Sequence, residues 1–196
     1  MKKQTERITT LAQGLESRQI VRIIAKATPD ENLDGFIVSL SEAFVLLHVL
    51  DGGHHMELNG YLALPMREIK SVRVLDDHDS FCDRALKVKG IAPQPQPDIL
   101  LLDFPGLLSS ANAHFPLVAV NQERQDRGCC FIGRVEKLKK RSFTLHKIDP
   151  AAHWIETEKF FFDDITRIDF GGGYEEALWL VSQSERSTAA TKGTEE

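Results

Sequence analysis

The chain has 196 residues, 24 Lys+Arg against 29 Asp+Glu, a formal charge of -5 and 42% hydrophobic residues. That apolar share excludes a disordered chain and predicts one or two packed domains. Cut after residue 98, the halves carry 12 and 12 basic against 14 and 15 acidic residues, so net charge marks neither as a polyanion binder and any basic footprint is local.

Thr10 to Ser17 predicts a short helix, and the β-branched run Ile20-Val21-Arg22-Ile23-Ile24-Ala25 predicts a strand. Thr28-Pro29-Asp30-Glu31-Asn32 gathers turn-forming residues, and the apolar runs Gly35 to Leu40 and Phe44 to Leu50 have strand length. Asp51-Gly52-Gly53 turns the chain toward strands at Tyr61 to Leu64 and Ile69 to Leu75, and a helix follows over Ser80 to Val88. The alternating prolines of Gly90 to Pro97 break helix and ladder alike and predict an extended spacer. Beyond it, strands are expected at Phe115 to Asn121, Cys130 to Val135, Ser142 to Ile148, His153 to Phe162 and Ile165 to Phe170, with a helix over Tyr174 to Ser182. In Ser142 to His146, polar residues alternate with Phe143 and Leu145, as on a strand with one buried face. From Glu185 the chain is polar and predicts a disordered tail.

The two halves repeat each other. Gly35-Phe36-Ile37-Val38 resembles Cys130-Phe131-Ile132-Gly133, and Leu47-His48-Val49-Leu50-Asp51 resembles Leu145-His146-Lys147-Ile148-Asp149. Arg67 to Val72 pairs with Asp163 to Ile168, and Asp83-Arg84-Ala85-Leu86 pairs with Glu175-Glu176-Ala177-Leu178. The offsets are 95, 98, 96 and 92, so small loop insertions keep the halves in register. The expected organisation is a first repeat over 1–90, a linker over 91–98, a second repeat over 99–184 and a tail over 185–196.

A short helix, five bent antiparallel strands and a glycine opening the second strand resemble the Sm-like β-barrel, a small open barrel of SH3-like shape. The resemblance implies a mainly β chain of two tandem five-stranded open barrels with short flanking helices. It also implies assembly through edge strands, often into rings, and RNA binding by the ring. An open barrel leaves unpaired backbone groups on its edges, so a homo-oligomer joined there is expected. The family's RNA signatures are missing. Its Asp–apolar–Asn turn is replaced by Ser39-Leu40-Ser41-Glu42-Ala43-Phe44 and by Glu136-Lys137-Leu138-Lys139-Lys140-Arg141-Ser142. Its basic-residue–Gly pair is replaced by Pro65-Met66-Arg67-Glu68 and Phe162-Asp163-Asp164, where carboxylates repel phosphates.

Charge is unevenly spread. Glu31 to Met66 holds five carboxylates and no Lys or Arg, whereas Arg134 to Arg141 holds five cations and one Glu. Arg134, Lys137, Lys139, Lys140 and Arg141 are therefore the candidate site for an anionic partner, either RNA bound without base readout or the acidic first repeat of another copy. The plain alternative is a solvated hairpin tip.

Other patterns carry no chemistry. Asp169-Phe170-Gly171-Gly172-Gly173-Tyr174 lacks the Lys and Ser/Thr of a phosphate loop, and Glu175 and Glu176 already face the positive helix end, so it reads as a tight turn. His54-His55 and Asp76-Asp77-His78-Asp79 lack metal-site spacing. Cys82, Cys129 and Cys130 are odd in number, with two adjacent, and read as reduced thiols. Ser109, Ser110 and the cysteines lack an elbow motif, and Trp154 and Phe160 to Phe162 read as packing. No stretch matches a signal peptide or a membrane span. The sequence thus predicts a cytoplasmic, non-catalytic scaffold without cofactor or metal that self-associates, with RNA binding at the basic tip as the alternative.

Overall fold

The computed structural model describes residues 2–51, 56–75, 81–94, 98–128 and 130–192, with side chains from Gln4 to Ser184 inside those stretches. The Gly52-Gly53 turn, His54, His55, Asp76 to Asp79, part of the proline spacer and Cys129 lie outside the described residues.

The first half opens on α1 (Lys2–Ser17), which packs Leu11 and Leu15 onto strands that follow it: β1 (Ile20–Ala25), β2 (Leu33–Leu40), β3 (Phe44–Asp51), β4 (Glu57–Pro65) and β5 (Ile69–Val74). A 3-10 turn, Met66–Glu68, separates the last two, and α2 (Phe81–Lys89) covers Ile20, Phe36 and Leu50 with Leu86. The second half opens on α3 (Phe104–His114), in the place where the repeat predicts a short leading helix without fixing its bounds. The Asp103 carboxylate caps it by accepting from Gly106 N at 2.8 Å, with proline inside the first turn. Then come β6 (Val118–Asn121), β7 (Cys130–Leu138), β8 (Ser142–Ile148), β9 (Trp154–Phe161), β10 (Arg167–Phe170) and α4 (Gly173–Lys192). The last helix runs on through the stretch where composition predicts a disordered tail.

The protein is mainly β, and the ten strands among the described residues form one antiparallel sheet ordered β5-β1-β2-β3-β4-β10-β6-β7-β8-β9. The expectation from sequence is two tandem five-stranded open barrels, packed together or joined through the proline segment. One open sheet spans both halves, because β4 and β10, each at the edge of its half, pair with one another. The halves still follow one plan. Each places its fifth strand beside its first, then its second, third and fourth.

The register repeats as well. Gly35 faces Val49, Ile37 faces Leu47 and, past a bulge, Ser39 faces Leu46; Gly133 faces Lys147, Val135 faces Leu145 and, past a bulge, Lys137 faces Thr144. His48 faces Tyr61 as His146 faces Thr157, each just before a second bulge. Val21 faces Val74 as Val118 faces Phe170. These partners equate Gly35 with Gly133, three residues beyond the Cys130 match suggested by the Phe-Ile dipeptide.

The largest core crosses the join. Phe44, Leu46, Tyr61 and Ala63 of the first half pack in one cluster with Val118, Val120, Phe143, Leu145, Phe160, Ile168 and Phe170 of the second, and α3 adds Phe104, Leu107, Leu108 and Ala111. On the opposite face, α1 and α4 cover separate clusters.

Candidate functional site

The hairpin joining β7 and β8 carries Lys137, Lys139, Lys140 and Arg141, all exposed. Arg141 Nη2 lies 3.2 Å from Asp163 Oδ2, and both side chains are about four-fifths exposed at 82% and 78%. Arg134 stands apart from this tip. Its guanidinium lies 4.8 Å from the centroid of Trp179 and 5.9 Å from that of Trp154, so its cation faces an aromatic layer under α4. Of the acidic stretch, Asp34 accepts from Nε and Nη2 of Arg22 at 2.7 and 2.5 Å, which also raises the Arg22 pKa.

The seam between β4 and β10 is held on both faces. Ile168 faces Ala63, Asp169 faces Leu62 and Phe170 faces Tyr61. At one end, Arg67 donates from Nη2 to the carbonyls of Phe162 and Ile165, 2.9 Å each, and lies over Phe104 with its ring centroid 5.3 Å away. Phe104 in turn stacks on Phe162 at 5.1 Å. The fully buried Glu68 receives Arg67 at 3.3 Å and also Arg124 of the second half. On the other face Arg167 Nε lies 3.2 Å from both Glu123 Oε1 and Asp169 Oδ2, and Asn121 Nδ2 donates to Asp169 Oδ2 at 2.7 Å. Burial pushes the Asp169 carboxyl up to about 6 against the opposing pull of Arg167 and Asn121.

Two strands end the sheet. On β5, Lys70, Ser71 and Arg73 are exposed; on β9, Ile155, Glu156, Thr157, Glu158, Lys159 and Phe161 are exposed. Lys147 reaches from β8 to Glu156 and Glu158, 2.6 Å each, and the two contacts raise its pKa. Charged side chains on edge strands discourage indiscriminate pairing. Here β5 is basic, while β9 carries two carboxylates and one lysine.

The histidines at equivalent positions serve packing. His48 stacks on Tyr61 at 4.7 Å and accepts from Gln94 N at Nδ1, with its pKa lowered by burial. His146 lies against Trp154, 4.7 Å between centroids, and 3.8 Å from Glu136. Ser110 Oγ is engaged with Leu100 N and the carbonyls of Gly106 and Leu107. Cys130 is exposed and Cys82 partly buried, and neither is in a disulfide. In the glycine turn, Gly171 has φ +71° and packs on Phe115, while Gly173 N donates to Asn59 on β4 at 2.8 Å. Among the described residues no group of three His, Cys, Asp or Glu is arranged for a metal ion, and no helix is long and apolar enough to cross a membrane.

Comparison with protein-family models, curated proteins and solved structures returns no match. The seam network of Arg67, Glu68, Arg124, Arg167 and Asp169 is absent from the sequence-derived site, where Arg67 and Glu68 figure only as a departure from an RNA signature. The repeat itself held a signal: at equivalent places the first half carries Arg67-Glu68 and the second Asp163-Asp164.

Proposed function

We propose that the chain is a non-catalytic, self-assembling scaffold whose copies join head to tail, β9 of one against β5 of the next. The reading takes each half as a five-stranded Sm-like unit. Its main support is the seam, a worked example inside one chain of a fourth strand paired with a fifth strand. Repeat equivalence puts Val72, Arg73 and Val74 in place of Ile168, Asp169 and Phe170, and Lys159, Glu158 and Thr157 in place of Ala63, Leu62 and Tyr61. Carried over to two copies, the seam register sets Arg73 opposite Glu158, an opposite-charge cross-strand pair that contributes roughly 0.2–1 kcal/mol.

Size-exclusion chromatography with light scattering tests this. Association is expected at micromolar concentration, weakened by Arg73→Glu or Glu158→Arg alone and recovered when both are present. A strict monomer removes the proposal.

A second reading, RNA binding, is favoured by the four exposed cations of the β7–β8 tip. It predicts salt-sensitive binding of short single-stranded RNA that is lost when Lys139, Lys140 and Arg141 become Glu. Binding that is unchanged in this variant rules the tip out.

A further inference from the structure

Beside the free β5 edge lies an open cavity of about 890 Å³, lined by α1, the β2–β3 turn and the start of β5, with Arg7, Lys26, Ser41, Glu42, Met66 and Ile69 among its walls. Arg7 Nη1 donates to the Ile69 carbonyl, and Lys26 Nζ donates to the Arg67 carbonyl at 2.6 Å. Arg7 and Lys26 are thus fixed at this mouth, which Arg67 also lines, against one carboxylate, Glu42.

The equivalent place in the second half is occupied. By the offset of 96, Met66 and Ile69 correspond to Phe162 and Ile165, whose carbonyls accept from Arg67 across the seam. Arg67 comes from the loop following β4, the strand that pairs with β10. The corresponding loop of a neighbouring copy is the one following β9, and in it Asp163 and Asp164 replace Arg67 and Glu68.

The polarity has therefore inverted at both members of the contact. Inside the chain, a loop cation reaches the Phe162 and Ile165 carbonyls; between chains, a loop carboxylate arrives where Arg7 already covers the Ile69 carbonyl, the equivalent of Ile165, and Lys26 covers the adjoining Arg67 carbonyl. We infer that the Arg7–Lys26 cavity is the receptor for the Asp163-Asp164 loop of a second copy. This rests on the edge pairing proposed above and adds a locking contact to it. Asp163 is free to change partners, because its present pair with Arg141 is highly exposed on both sides and such pairs contribute little. The contact also gives the assembly a direction, since only unlike ends are complementary.

Sedimentation equilibrium of the full chain tests the inference. Asp163→Lys with Asp164→Lys is expected to raise the dissociation constant of self-association at least tenfold, as is Arg7→Glu with Lys26→Glu. Combining all four substitutions should return it to within about threefold of wild type. The loop variant alone keeps the test valid if exchange of Arg7 unsettles α1, and its circular dichroism should match wild type. Association that is unchanged in the loop variant overturns the cavity contact while leaving edge pairing standing; a monomeric wild type overturns both. If the Arg7 and Lys26 variant instead loses binding to a short single-stranded RNA with self-association intact, the cavity is a nucleic-acid site and the inference fails.

Discussion

Substituting alanine for Gly35 and Gly133, one at a time, probes the equivalence of the halves most directly. A Cβ on Gly35 would sit 2.4 Å from the carbonyl oxygen of His48, and one on Gly133 would sit 2.2 Å from that of His146. Ordinary contact begins near 3.4 Å, so the paired strands would have to separate by 1.0 and 1.2 Å respectively. A backbone oxygen in a ladder cannot rotate aside as a side chain can. Overpacking of this kind costs about 1–3 kcal/mol, and stretching the flanking ladder bonds adds about 1 kcal/mol. Each variant should therefore lose about 3 kcal/mol, with Gly133→Ala the worse. In urea this lowers the unfolding midpoint by at least ~1 M. Gly128→Ala is the control, since its Cβ would meet only Asp126 Oδ1 at 3.7 Å. A Gly133→Ala protein that unfolds with the Gly128→Ala midpoint would show that the close cross-strand approach, and the register equivalence built on it, is wrong.

Removing the guanidinium with Arg67→Ala takes its hydrogen bonds from the Phe162 and Ile165 carbonyls, of which Phe162 keeps the longer bond from Ile165 N at 3.3 Å; allowing for its partial exposure, a loss of about 2 kcal/mol is expected, read as a thermal midpoint ~4–8 °C lower. Asp169 gives a pH signature. Its folded pKa of about 6 lies above the ordinary 3.8, so the folded state binds the extra proton. Its contribution to stability is complete below pH 3.8 and is lost as pH rises through about 6, a change on the order of 3 kcal/mol. Asp169→Asn should remove that falling component from urea-derived stability measured between pH 4 and 7; an unaltered pH profile would refute the assignment.

Strands were legible where chemistry is local. Ile20 to Ala25 is a β-branched run with turn residues beyond it, and it forms β1 with those bounds. Helix α3 shows the opposite case: the repeat predicts a leading helix here, but Pro105, Gly106, Ser109 and Ser110 mask its apolar face, and the signal for its bounds was the Asp103 cap followed by proline. The polar start of α1 has few apolar residues to reveal its period, so only Thr10 to Ser17 could be read. The seam was hidden for another reason: Arg67 meets Phe162 and Ile165 across 95 and 98 residues, and periodicity within a strand does not say which edge it will meet. Glu68 is buried only because that meeting occurs. The basic tip was readable as a charge run, but the turning of Arg134 onto Trp179 depends on where α4 lies.

The core that bridges the two halves bears on what the proline segment does. Phe104, Tyr61, Phe143 and Phe170 share one apolar interior, and three residue pairs of β4 and β10 close the ladder across it. Nicking the chain between 91 and 98 should therefore yield complementary fragments that co-purify, held by the same surfaces as before. The peptide connection acts as a tether: it keeps the local concentration of each partner high and their stoichiometry at one to one, while the adhesion itself lies in the seam.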